Sequence, residues 1–463
     1  MKYASTRGNV AGIGFIDAFM MGLANDGGLL IPEQIPQVSV AQLEQWRTLE
    51  YTELVQAIFE LYVDGEIPSG ELKQLIESSY ATFRTPEVTP VQQLKDDLYL
   101  LELFHGPTFA FKDVALQFMG QLYSYVATKT GQKINILGAT SGDTGASAIA
   151  GLRGKEGIKI CILHPEGKVS RVQELQMTTV LDDNVLNLSV EGNFDDCQRM
   201  IKELFSDIDF KNKHQLAAIN SINFIRIMAQ TVYYFYAYFR ITEPGSTKKI
   251  NFSVPTGNFG DIFAGYLAKR MGLPIHKLIL ATNENNILER FINQGVYKPD
   301  QFKMTYSPSM DIQVASNFER YLYYVTGENT EQVKSFMQQF AEKGEIVIDS
   351  AMLAIVQAEF SAYGVAGELC LQTISKYNEE TNYLLDPHSA CGVAAAEQCA
   401  GQAEITVSLA TAHPAKFDEA ISLCGIKQTF PDAIAELSNK QQRQTKVDGD
   451  LAAITDELIT FYG

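Results

Sequence analysis

The segment His105-Gly106-Pro107-Thr108-Phe109-Ala110-Phe111-Lys112-Asp113 sets one lysine among aromatic and small side chains. An amine whose charged form is desolvated becomes nucleophilic near neutral pH, and such a lysine can form a Schiff base with a carbonyl compound. A second reading pairs Lys112 with Asp113 or lets it reach solvent along its aliphatic stem.

Two further segments have the form of anion cradles. Ala139-Thr140-Ser141-Gly142-Asp143-Thr144-Gly145 follows the apolar run INILG and leads into a helix expected to begin near Ala146. Small residues there let backbone N–H groups face a ligand, and the helix start adds positive potential suited to a carboxylate or phosphate. Ser141 and Thr144 add hydroxyls, although a plain turn capped by Asp143 or Thr144 would use the same residues. Thr256-Gly257-Asn258-Phe259-Gly260-Asp261 repeats the arrangement after INFSVP, where two glycines flanking an Asn make a nest that can hold phosphate without a lysine. Neither GxGxxG nor GxxxxGK[ST] is present, so a dinucleotide fingerprint and a P-loop are not indicated.

Asn220-Ser221-Ile222-Asn223-Phe224-Ile225-Arg226 is a candidate donor cluster. In a helix starting near Ser221, Asn220, Ser221 and Arg226 could converge on an anion. Lys168, just ahead of another helix start, is a possible further donor, and an N-cap with a surface arginine is the plainer alternative. Thr411 and His413 end the run EITVSLA, where a hydroxyl or imidazole would face a ligand crevice.

These segments need a scaffold. Leu54, Val55, Ile58 and Leu61, then Leu72, Leu75 and Ile76, recur at spacings of three and four, so the first ~95 residues read as helical. Pro86 and Pro90 mark a boundary. Beyond it INILG (134–138), IKICIL (158–163), LNLSV (186–190), INFSVP (250–255), KLILA (277–281) and EITVSLA (404–410) alternate with helical periods. Runs hydrophobic on both faces belong to parallel sheets covered by helices, with ligands beyond the carboxyl ends of the strands. With a soft break at ITEPGSTKK (241–249), the expected division is a helical region 1–95, a first α/β domain 96–245 carrying Lys112, and a second α/β domain 246–463 carrying the GNFG loop.

Fifty-five Asp and Glu against 37 Lys and Arg leave a net charge of −18, which argues against nucleic acid or an anionic membrane as partner. A small anionic substrate then needs a local concentration of donors. The apolar stretch Thr231–Phe239 is too short to span a bilayer and reads as a buried helix. The residues MKYASTRGNVAG lack an apolar h-region, so a cytoplasmic setting is expected. Cys161, Cys197, Cys370, Cys391, Cys399 and Cys424 lack CxxC spacing and read as reduced core thiols, and no metal site is indicated.

Taken together and in this order, HGPTFAFKD, GATSGDTG, NSINFIR, PTGNFGD and TAHPAKF resemble the threonine synthases, pyridoxal-phosphate enzymes of fold type II. The resemblance runs from DGGLLIP (26–32) to TAHPAKF (411–417) and includes SPSMDI (307–312), where Ser309 replaces the commoner alanine. It implies two open, mainly parallel-sheet α/β domains of the tryptophan synthase β-like kind behind a helical N-terminal region. It also implies that Lys112 holds pyridoxal 5'-phosphate as a Schiff base and that Gly257, Asn258, Phe259 and Gly260 cradle the cofactor phosphate. Thr411 would bond the pyridine nitrogen, with Ser141, Asp143 and Thr144 beside the ring and the substrate carboxylate. Asn220, Ser221 and Arg226, with Lys168, would bind the phosphate of O-phospho-L-homoserine, which the enzyme would convert with water to L-threonine and phosphate. Monomer and homodimer are both left open. A threonine or serine dehydratase would use the same lysine without a phosphate donor cluster, and a non-catalytic anion-binding α/β protein would leave Lys112 structural.

Overall fold

The helices read from apolar spacing are present as Tyr51–Val63 and Ser69–Tyr80. Leu54, Val55 and Ile58 are fully buried, as a stripe of that spacing requires. A capping box formed by Glu50 and Glu53 opens the first helix, and Asp64 in the left-handed conformation closes it. The computed structural model describes residues 1–401 and 404–463. Within it the chain forms two compact units, each built on one sheet.

The first unit comprises Met1–Lys73, Arg84–His105 and Ser221–Gln428. Its six-stranded sheet runs Phe360–Gly364, Ile275–Thr282, Ile250–Pro255, Thr406–Ala410, Leu98–Glu102, Val91–Lys95. Every pairing is parallel except the last, an antiparallel edge. Each residue of Ile250–Pro255 and of Thr406–Ala410 is buried, which is why these strands read as continuous apolar runs. The Tyr-rich stretch lies in helix Phe224–Ile241, buried from Phe224 to Phe239. A short antiparallel pair, Tyr3–Ser5 with Leu30–Pro32, also belongs to this unit.

The second unit comprises Gln74–Phe83, Gly106–Asn220 and Thr429–Gly463. Its all-parallel sheet runs Thr445–Val447, Val185–Val190, Ile158–Pro165, Ile134–Ala139, Leu216–Ala218. The C-terminal helix Leu451–Tyr462 is sealed onto it, with Tyr462 Oη donating to the Ile136 carbonyl at 2.9 Å.

The compact units are therefore discontinuous and cut across the boundaries expected near residues 95 and 245. Strands Val91–Lys95 and Leu98–Glu102 extend the sheet that contains Ile250–Pro255, and Thr445–Val447 extends the sheet of residues 134–218. A three-residue edge strand carries no periodicity to read, and its pairing is decided by tertiary register. All six cysteines are free thiols, four of them buried. No helix among the described residues is long and apolar enough to cross a membrane.

Candidate active-site residues

In the second unit Lys112 is the first residue of helix Lys112–Thr130, and its side chain is 13% exposed. Its Nζ lies 3.4 Å from Asp143 Oδ2 and 5.1 Å from the centroid of the Phe111 ring. The carboxylate facing the amine is thus that of Asp143, 31 residues along the chain. Asp113 accepts from Thr108 N (2.8 Å), Thr108 Oγ1 (2.7 Å) and Ser147 Oγ (2.6 Å), which ties its carboxylate to the turn. Gly106 permits that turn, since a Cβ there would fall 2.3 Å from the Cβ of Asp113.

Asp143 opens helix Asp143–Leu152, three residues before the start expected at Ala146. It does not cap the helix. Gly142 occupies the cap position with φ 144°, and Thr140 Oγ1 accepts from the amides of Gly142 and Gly145, each at 2.9 Å. Freed from capping, Asp143 is gripped on its other oxygen by Gln173 Nε2 at 2.7 Å. Gln173 also fills the space over Gly142, where a Cβ would lie 2.3 Å from its Oε1. Sequence reasoning missed Gln173, and its one local signal is its place three residues after the Ser170 N-cap. Ser141 is exposed, Thr144 half-buried, and Lys168 exposed in the turn before helix Arg171–Thr178.

The first unit holds the GNFG loop at the end of strand Ile250–Pro255. A Cβ on Gly257 would sit 2.7 Å from the carbonyl oxygen of Ser309, so only glycine lets the two backbones approach. That Ser309 segment is in turn held by His388, whose Nε2 accepts from Ser309 N at 3.1 Å and whose Nδ1 is bonded to Asp386 at 2.8 Å. The left-handed residue of the loop is Phe259 (φ 62°), not a glycine, and its buried ring packs against Phe318, Tyr321 and Phe360. Gly260 then starts helix Gly260–Met271. Behind it Asp261 Oδ1 accepts from Tyr233 Oη at 2.5 Å and Tyr234 Oη at 2.9 Å, and burial pushes its carboxyl up to about 6.

The helix carrying Arg226 begins at Phe224 with Asn223 as its cap, not near Ser221. Asn223 Oδ1 accepts from Ile225 N, so Asn220 and Ser221 precede the helix and Arg226 lies in its first turn. Nor is Arg226 a surface residue. It is 4% exposed, its Nη1 is buried without a hydrogen-bond partner among the described residues, and burial pulls the guanidinium down to about 10. Ser221 is linked to the GNFG loop through Ser316, whose Oγ is 2.9 Å from Ser221 Oγ and 3.2 Å from Asn258 Oδ1. Thr411 follows strand Thr406–Ala410 and is buried, whereas His413 caps a short 3-10 turn by accepting from Ala415 N, with burial holding its imidazole down to about 4.

Each unit thus presents chemistry of its own. One has a shielded amine beside a carboxylate. The other has a glycine-dependent backbone nest, a helix start and a buried guanidinium whose Nη1 lacks an acceptor among the described residues. An aldehyde cofactor with a phosphate tail and an anionic substrate matches that donor set.

The comparisons agree. Residues 2–80 match the family described as threonine synthase N terminus, residues 81–359 the pyridoxal-phosphate dependent enzymes, and residues 389–457 the threonine synthase C-terminal family. The chain is 44% identical to threonine synthase of Pseudomonas aeruginosa over 98% of this chain and 97% of that one. Against threonine synthase of Schizosaccharomyces pombe it is 45% identical, covering 91% and 89%. The structure of pyridoxal-phosphate-bound threonine synthase from Brucella melitensis superposes with a TM-score of 0.96 at 43% identity, over 100% of this chain and 99% of that one. Fold and residues together define a pyridoxal-phosphate enzyme of fold type II. Within that class the chain belongs to the threonine synthase family.

Proposed function

We propose that the protein converts O-phospho-L-homoserine and water to L-threonine and phosphate, the last step of threonine biosynthesis, in the cytoplasm. The observation that carries the substrate reading is Arg226, a buried guanidinium whose Nη1 has no acceptor among the described residues. A buried cation in that state calls for an anion, and a dehydratase acting on threonine or serine has none to offer beyond the carboxylate. Free thiols at all six cysteines fit a reducing compartment.

In this reading pyridoxal phosphate, when bound, supplies a conjugated electron sink for charge left on carbon after a proton departs. The protein supplies the rest. Lys112 would hold the cofactor, then remove the protons at Cα and Cβ and return protons at Cα and Cγ, while the γ-phosphate leaves and water adds its oxygen at Cβ, the proton that water gives up balancing the one the departing phosphate takes up. Asp143, fixed by Gln173, sets where the Lys112 amine can stand. Gly257, Asn258, Phe259 and Gly260 take the cofactor phosphate on backbone N–H groups, and Thr411 bonds the pyridine nitrogen. Ser141 and Thr144 bind the substrate carboxylate, while Asn220, Ser221 and Arg226, with the exposed Lys168, bind the substrate phosphate.

The test is an absorbance spectrum of the purified protein followed by two product assays. Phosphate release from O-phosphohomoserine without ammonia release from threonine is expected. The reverse pattern would assign a dehydratase instead.

A further inference from the structure

Asn317 lies outside every segment that suggested chemistry, yet its backbone N–H and its side-chain amide donate to two of them. Its backbone N–H donates to the Asn258 carbonyl at 3.0 Å, and its Nδ2 donates to the same carbonyl and to the Ser221 carbonyl, each at 3.1 Å. The Oδ1 accepts from Arg320 Nη1. Arg320 is fully buried and donates to the Ile222 carbonyl at 2.5 Å and to the Leu30 carbonyl at 2.9 and 3.0 Å. Beside them Ser316 Oγ bridges Ser221 Oγ and Asn258 Oδ1.

Two loops that are 36 residues apart in the chain, by 257 minus 221, therefore share one set of donors within the first unit. Carbonyl groups of irregular backbone have no ladder to satisfy them, so a side chain that bonds one from each loop fixes the spacing between the two. Phe259 adds to this, since its left-handed backbone must be over-determined by its surroundings to persist.

We propose that Asn317, supported by Ser316 and Arg320, is a positioning residue that holds the Gly257–Gly260 loop and the Ser221–Ile222 turn in one register, so that the sites for the two phosphates are set together. The proposal rests on the reading that the first loop holds the cofactor phosphate and the second the substrate phosphate. It makes Asn317 unlike Gly257 or Arg226, each of which serves a single anion.

Asn317→Asp is the informative variant, because it keeps the acceptor for Arg320 and replaces the amide donors with an oxygen facing two carbonyls. Three readouts are compared with Asn317→Ala and the milder Ser316→Ala. These are amide hydrogen exchange of the unloaded chain at 220–223 and 256–260, the Kd for pyridoxal phosphate, and kcat and KM for O-phosphohomoserine at saturating cofactor. Both Asn317 variants should quicken exchange in the two segments together and raise Kd and KM each by about tenfold, with a smaller effect on kcat. Ser316→Ala should shift both constants the same way by about two- to fivefold, without loss of thermal stability. Gly257→Ala and Arg226→Ala serve as controls that move one constant each. Faster exchange in one segment only, Kd and KM moving apart, or parental behaviour of Asn317→Asp would overturn the proposal. If exchange quickens in both segments while neither constant moves, and the two controls also fail to separate, the proposal falls through the assignment of the loops and not through the clamp.

Discussion

Lys112 Nζ stands 3.4 Å from Asp143 Oδ2, and Gln173 holds the opposite oxygen of that carboxylate at 2.7 Å. The lysine side chain is 13% and the aspartate 4% exposed, so the pair is largely shielded from water. A carboxylate held on its far side by an amide fixes where the amine opposite it can stand. Asp143→Asn and Gln173→Leu should therefore each slow turnover, with kcat falling more than the affinity for pyridoxal phosphate, as steady-state kinetics and absorbance titration would show. Lys112→Ala should abolish covalent attachment and nearly all turnover while the fold persists. Borohydride reduction and peptide mapping check this, and cofactor trapped on another lysine in the variant would reassign the nucleophile.

Gly257 tests the proposed assignment of the cofactor phosphate to its loop more sharply than Gly260 does. The added methyl of Gly257→Ala would meet the Ser309 carbonyl oxygen at 2.7 Å, and that backbone is braced by His388. At Gly260 the nearest atom is Asn317 Nδ2 at 3.3 Å, a milder contact. Absorbance titration should show at least about a tenfold loss of pyridoxal-phosphate affinity in Gly257→Ala, with a smaller change in KM once cofactor saturates.

Arg226→Ala should lower kcat/KM for O-phosphohomoserine by about ten- to more than a hundredfold, since a charge-assisted bond to phosphate is worth roughly 1.5–3 kcal/mol. Arg226→Lys should also be impaired, because an ammonium cannot present the planar two-donor fork. The cofactor spectrum should stay near that of the parent in both. Loss of cofactor with normal saturated kinetics would mean that the two anion sites are exchanged.

Asp261 provides a pH test independent of catalysis. Burial raises its carboxyl from 3.8 to about 6 in the folded chain. Between those values the native state binds the proton that the unfolded state has released, so this group's contribution to stability falls as pH rises. At ~1.4 kcal/mol per unit the whole shift is worth roughly 3 kcal/mol, of which about 2 kcal/mol is lost between pH 4 and 6. Asp261→Asn lacks this titration and keeps an oxygen for Tyr233 and Tyr234. The melting temperature of the parent relative to the variant should drop over that range, and parallel curves would contradict the buried-carboxyl account.

Much of this protein is written locally. Runs such as INFSVP mark buried parallel strands because a strand covered on both faces needs apolar residues throughout, and all six residues of Ile250–Pro255 are buried. The glycines after those strands and the lysine among aromatics are legible for the same reason, since turn geometry and desolvation act over a few residues. Tertiary structure alone decided that Lys112 lies against Asp143, that Arg226 is buried and not exposed, and that Asn317 bonds the carbonyls of both Ser221 and Asn258. It also decided that Thr445–Val447 completes the sheet of residues 134–218. Each of these depends on which groups remain unsatisfied once distant segments meet, and hydrogen-bond demand of that kind leaves no periodicity along the chain.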